Sequence, residues 1–225
     1  AQKRRELSSI SDGATWVDKN RFVGGSVFIG VSPRERQGAV ESGAIVRLDL
    51  ATGLSVTKPT NGSVTRIEPM GETRAMIATL SAEGLVLEAV STVGSLEATG
   101  RDVVSGVSEG ESRSHGFFFK PASSGSAAGV FGLPVVEGAS GGLWDGGISN
   151  VGFWSVLETG ALEQRGVVSP SGARGVCETS CVDWYGNTRP VFIGERTFAL
   201  MGSEVSEIAF HPTAARIGAG AVLTK

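Results

Sequence analysis

Cysteine is almost absent from this chain, with two residues in 225, and that excludes a small fold stapled together by many disulfides. Charge is also scarce. Asp, Glu, Lys and Arg make up 19% of the residues, against about a quarter in ordinary globular domains. The formal net charge of -3 and a pI near 5.5 leave no basic face for DNA or RNA, so nucleic acid is not an expected partner. No apolar run approaches the roughly 18 residues of a membrane-crossing helix, so no transmembrane segment is expected. The start, Ala1-Gln-Lys-Arg-Arg-Glu-Leu7, is basic, but no apolar stretch follows it as an intact signal peptide requires. It reads as a solvated tail, the alternative being a membrane-surface contact through Lys3, Arg4 and Arg5.

What the chain does have is glycine. Its 33 glycines are about twice the usual share, which suits many tight turns between short strands. A unit recurs in which an apolar strand ends in glycine and another strand follows. Gly43-Ala-Ile-Val-Arg-Leu-Asp-Leu-Ala-Thr-Gly53, Gly84-Leu-Val-Leu-Glu-Ala-Val-Ser-Thr-Val-Gly94 and Asn150-Val-Gly-Phe-Trp-Ser-Val-Leu-Glu-Thr-Gly160 are its clearest copies. One such meander cannot bury its own faces and needs neighbouring copies to do so. The expected fold is therefore all-β: a β-propeller of about four four-stranded blades, either a small closed ring or the C-terminal half of a larger one. Residues 1–13 are expected as a tail, 14–212 as blades, and 213–225 as a second tail or a closing strand.

Within this frame, Arg21–Val31 is expected to pair with residues 44–50 as a long hairpin. Strands at 63–68, 73–80, 84–90 and 95–99 form the second unit, and those at 113–120, 127–136 and 151–157 the third. The fourth is read at 180–185, 189–193, 196–200 and 204–210. The second unit is apolar on both faces, as expected of strands sandwiched between neighbours. About 25 extra residues separate the closing glycines of the third unit, and such an insertion is the expected recognition surface.

Chemistry is harder to find. Ser112, Ser114 and His115 have the residue types of a hydrolase, but no G-x-S-x-G elbow accompanies them, and the plainer expectation is that Ser114 and His115 tie down backbone. The stretch Gly138–Gly147 lacks the lysine of a phosphate loop, but it carries Trp144 and Asp145. Asp12, Asp18, Asp49, Asp102, Asp145 and Asp183 are scattered and form neither a calcium loop nor a glycosidase pair. Cys177 and Cys181 are close enough to pair. A disulfide is the expectation, free thiols the alternative, and a metal site would be two ligands short, because His115 and His211 lie far away in sequence. An oxidised pair implies a periplasmic or extracellular home. No cofactor is expected.

Two strings, Gly110-Glu-Ser-Arg-Ser-His-Gly-Phe-Phe-Phe119 and Cys181-Val-Asp-Trp-Tyr-Gly-Asn-Thr-Arg-Pro-Val-Phe-Ile-Gly-Glu-Arg-Thr-Phe-Ala-Leu200, resemble the C-terminal part of bacterial secreted β-propeller domain proteins. The resemblance covers roughly residues 60–210. It implies a multi-bladed propeller and export through the inner membrane, and it brings no catalytic residues with it. Family members are usually considerably longer than this chain. The expected function is a non-catalytic, extracytoplasmic module that binds a protein partner or belongs to a larger assembly, with carbohydrate as another ligand class. Trp144, Asp145, Phe153, Trp154, Trp184 and His115 are the candidate contacts. The rival expectation is a hydrolase or lyase acting on polysaccharide or peptide at the central channel, where His115 would have to meet an aspartate. A third is a structural subunit buried in an assembly.

Overall fold

The computed structural model describes residues 15–33, 43–111, 113–137, 149–170, 188–202, 204–210, 217–218 and 222–223. They form four antiparallel sheets. The first is the meander β1 (Thr15–Val23), β2 (Ser26–Pro33), β3 (Gly43–Asp49) and β4 (Ser55–Thr60), and the second is β5 (Gly62–Met70), β6 (Arg74–Ser81), β7 (Gly84–Ser91) and β8 (Ala98–Val104). In the third, β9 (Val107–Glu109) and β10 (Phe118–Pro121) share one edge of β11 (Gly129–Glu137), followed by β12 (Ser149–Val156) and β13 (Leu162–Val168). The fourth has β14 (Thr188–Ile193), β15 (Arg196–Met201) and β16 (Glu204–Phe210), with the short β17 (Ile217–Gly218) and β18 (Val222–Leu223) both pairing with β16. A 3-10 turn at Ser114–Gly116 lies between β9 and β10. No helix among the described residues is long and apolar enough to cross a membrane.

Strand alternation explains how the sheets stack. Successive side chains of a strand point to opposite faces, so β6 sends Ala75 and Ile77 towards the first sheet and Met76 and Ala78 towards the third. All four are at most 1% exposed. Between the first and second sheets, Phe28 and Ile45 meet Val64, Ile67 and Val90. Leu85, Leu87 and Met76 meet Phe131, Leu133 and Trp154 across the next interface, and Val151 and Phe153 meet Ala199 and Ile208 across the last. Each side chain of this size contributes about 1.5–3 kcal/mol when fully buried. Every sheet thus shares a core with its neighbour in sequence. Among the described residues, no hydrophobic cluster joins the fourth sheet to the first.

The structure corrects several details of the sequence reading. Arg21–Val31 is not one strand, because Gly24 and Gly25 break it into β1 and β2. Gly24 has φ of +54°, and a Cβ there would strike the Glu72 carbonyl of the β5–β6 turn, so only glycine lets the two turns touch. The last strand of the second unit lies at Ala98–Val104 rather than 95–99. The third sheet gains β9 and β13, neither of which stands out in the sequence. The segment 180–185 lies outside the described residues.

Candidate functional site

The strand that opens each sheet packs against its counterpart in the next. β1 lies on β5, β5 touches β10, and β14 lies against β10 and the 3-10 turn. These strands bring charged side chains together. Arg21 of β1 donates from Nε to the Ile67 carbonyl (3.1 Å) and from Nη2 to Glu68 Oε1 (3.0 Å). Glu68 also accepts from Arg66 Nη1 at 2.8 Å, so one carboxylate joins the first two sheets. Arg66 in turn reaches the third sheet: its Nε donates to Glu109, and its Nη2 donates to the carbonyls of Glu111 and Arg113. The side chains of Arg66 and Glu109 are 1% and 3% exposed.

Glu111 closes the next link. Its Oε1 accepts from the Arg113 backbone N–H and from Arg113 Nε, both at 2.8 Å. His115 Nε2 stands 3.7 Å from Glu111 Oε2. That gap is too long for a hydrogen bond. Burial pushes the carboxyls of Glu109 and Glu68 above the usual glutamate range, against the opposing pull of Arg66 and, for Glu68, of Arg21. Burial alone would raise Glu111 as well, but the side-chain and backbone hydrogen bonds from Arg113 hold it lower.

The two directions have opposite consequences for stability. A carboxyl raised in the folded state favours folding below its ordinary value of 4.5 and loses that contribution as pH rises through the folded value, whereas Glu111 contributes above 4.5 and loses its contribution as pH falls. Glu109→Gln is therefore expected to gain stability relative to the parent as pH rises from about 4 to 8. Urea titrations of both proteins across that range measure this, and a constant difference would refute it.

The residues singled out from sequence fall in three places. Trp144, Asp145, Trp184, Cys177 and Cys181 lie outside the described residues. Phe153 and Trp154 are 0% exposed and cannot offer a ring to a partner. Trp154 stacks on Phe131 with ring centroids 5.5 Å apart and donates from Nε1 to Asp102 Oδ2 at 2.7 Å, tying the third sheet to the second, while Phe153 packs edge-on against Phe192 and Phe210 of the fourth. Both lie in strand β12, where a strand between two sheets must bury both of its faces. Among the described candidates only His115 joins the charged centre, where it approaches Glu111. Asp102 is committed to Trp154, and Asp49 caps its own turn by accepting from the Thr52 N–H and hydroxyl.

Sequence reasoning missed Arg21, Arg66, Glu68, Glu109, Glu111 and Arg113. The available signal was charge at alternate positions: Arg66-x-Glu68, which the period of β5 puts on one face, and Glu109-x-Glu111-x-Arg113-x-His115, which runs from β9 into the 3-10 turn.

A second feature lies where the turns gather. The Leu50 N–H donates to the Gly25 carbonyl, Ser26 Oγ to the Thr92 carbonyl, and Arg74 to the carbonyls of Leu157 and Glu158, while Lys120 pairs with Glu195. The β1–β2, β3–β4, β5–β6, β7–β8, β10–β11, β12–β13 and β14–β15 turns therefore share one end of the sheets. Phe22, Leu50, Leu54, Val93, Leu157 and Ile193 are all at this end and are 39–71% exposed.

The molecule is thus an all-β protein of consecutive antiparallel sheets with a charged centre and an apolar turn end. No protein-family model matches the chain, and no curated protein matches it.

Proposed function

We propose that the chain is a β-propeller of four blades, free-standing or completed by further blades, that acts outside the cytoplasm as a non-catalytic protein-binding or scaffolding module of the bacterial secreted β-propeller kind. Consecutive packing of four meanders, with their opening strands meeting at a polar centre, supports the propeller reading. The observation that carries the function is the turn end. Large apolar side chains gathered on one surface mark interaction sites in folded proteins. Exposed Glu72 and Glu97 stand among them, so the matching partner surface is apolar and basic.

This differs from the contact surface expected from sequence. β11 ends at Glu137 and β12 begins at Ser149, at the end opposite these turns, so the two placements are separable by mutation. In native mass spectrometry the purified parent is expected to carry a second polypeptide, the chain with Phe22→Ser, Leu54→Ser and Val93→Ser to lose it, and Trp144→Ala to keep it. A parent mass of 23.2 kDa with no second polypeptide, or retention by the triple variant, would sink the assignment.

A hydrolase or lyase at the centre remains the second reading, favoured by the approach of His115 to Glu111. Against it stands the engagement of Glu111 by Arg113, which leaves the carboxylate poorly suited as a base.

A further inference from the structure

We propose that Asn61 is a site of spontaneous modification, where attack by the Gly62 main-chain nitrogen expels the side-chain amide and leaves aspartate or isoaspartate in the link between the first two sheets. Asn61 is the single residue between β4, which ends at Thr60, and β5, which begins at Gly62. An asparagine followed by glycine occurs once in the chain, at this position. Packing imposes the glycine, since a Cβ on Gly62 would collide with the Leu80 carbonyl of β6. The same missing side chain leaves the Gly62 nitrogen open to close approach by the Asn61 amide.

Both reacting groups are uncommitted. Asn61 is exposed while Thr60 and Gly62 on either side are buried, and no described residue hydrogen-bonds to the Asn61 amide. The nitrogen lies outside the β5–β6 ladder. Ser81 and Gly84 close a two-residue turn as a hydrogen-bonded pair, so both main-chain groups of Ser81 face β7. Ser81 pairs with Gly62 on its other edge, and hydrogen-bonded positions alternate along a strand, so that pair exchanges no hydrogen bonds. The Gly62 N–H therefore has no acceptor on β6 to give up before it reacts.

Water is the only co-reactant. The Gly62 nitrogen loses its proton to solvent and bonds to Asn61 Cγ, the Cγ–Nδ2 bond breaks, and ammonia leaves with a proton taken back. Water then opens the cyclic imide. Cleavage at Cγ restores the ordinary main chain with aspartate, whereas cleavage at the Asn61 main-chain carbonyl gives isoaspartate, whose main chain runs through Cβ and Cγ and is one atom longer. The products differ in what they do to the fold. Thr60 Oγ1 donates to the Gly62 carbonyl at 2.9 Å, and a Cβ on Gly43 would strike both groups, so the chain is held on each side of residue 61. Aspartate fits the exposed position. The extra main-chain atom of isoaspartate must displace Thr60 or Gly62, and with them the seam where Phe28 and Ile45 meet Val64 and Ile67.

The full chain is aged folded in neutral buffer beside a sample in guanidinium chloride. Peptide mapping by mass spectrometry then follows Asn20, Asn61 and Asn150, with isoaspartate separated from aspartate by chromatography. In the folded chain Asn61 is expected to convert at least about tenfold faster than Asn20, which is exposed but followed by arginine, and than the buried Asn150. The aged parent should develop a population of lowered thermal midpoint that grows with its isoaspartate content. Asn61→Gln, whose longer side chain disfavours the imide, should keep its midpoint on ageing, and freshly made Asn61→Asp should match the parent. An Asn61 that stays intact in the folded chain while it converts in guanidinium chloride, conversion of Asn20 as fast as that of Asn61, or the same loss of midpoint in aged Asn61→Gln would overturn the proposal.

Discussion

Arg66→Met is expected to lower the stability of the fold by about 3–5 kcal/mol, because breaking a buried ion pair strands the charge that remains. The Arg66 side chain is 1% exposed and donates to groups on β5, on β9 and in the segment before the 3-10 turn, so its loss loosens the seam between the second and third sheets. The informative comparison is the double variant Arg66→Met with Glu109→Leu. Replacing both partners by apolar side chains of similar volume is often close to neutral, so the double variant should recover much of the loss. The Glu111 and Arg113 carbonyls still lose their donor, and recovery should fall short by about 1–3 kcal/mol. Urea denaturation of the single and double variants measures both quantities. Losses that simply add would mean that Arg66 and Glu109 do not act as a pair.

The second large effect is expected at Trp154. Trp154→Ala removes a 0% exposed indole from between two sheets and should cost about 3–5 kcal/mol through lost burial and the cavity left behind. Gly152 limits the repair, since a Cβ on Gly152 would collide with the Trp154 ring, which shows how closely this space was already filled. Trp154→Phe separates packing from hydrogen bonding. It keeps an aromatic ring against Phe131 but leaves Asp102 Oδ2 without its donor, a loss of about 1–3 kcal/mol. Equal destabilisation by the two substitutions would show that the Asp102 bond, not the packing, carries the contribution.

These two residues show what the sequence made legible. Strands of the second sheet were readable because a sheet covered on both faces needs near-continuous apolar runs, and Leu85, Val86, Leu87, Ala89 and Val90 provide one. The same rule was not applied to Trp154, which was expected to be a contact residue although it sits at the centre of such a run and is 0% exposed. The β1–β2 turn was hidden because Gly24 and Gly25 sit inside an apolar stretch, and only the neighbouring turn of the next sheet shows why glycine is required there. β9 is three residues long and carries two polar side chains, too short to show a period. The charged centre escaped notice for a different reason. Its segments are far apart, with 47 residues between Arg21 and Glu68 and 43 between Arg66 and Glu109, and only folding reveals that they are neighbours.

The serial arrangement of the cores bears on the order in which the chain organises itself. All members of the core between the first two sheets lie between Val23 and Leu96, so that core can close before a ribosome has made β11, the strand that carries Phe131 and Leu133. Domains acquire structure from the N-terminal side during synthesis. Each new sheet then emerges beside a finished surface on which to condense, and the apolar strands of this chain need never be exposed all at once.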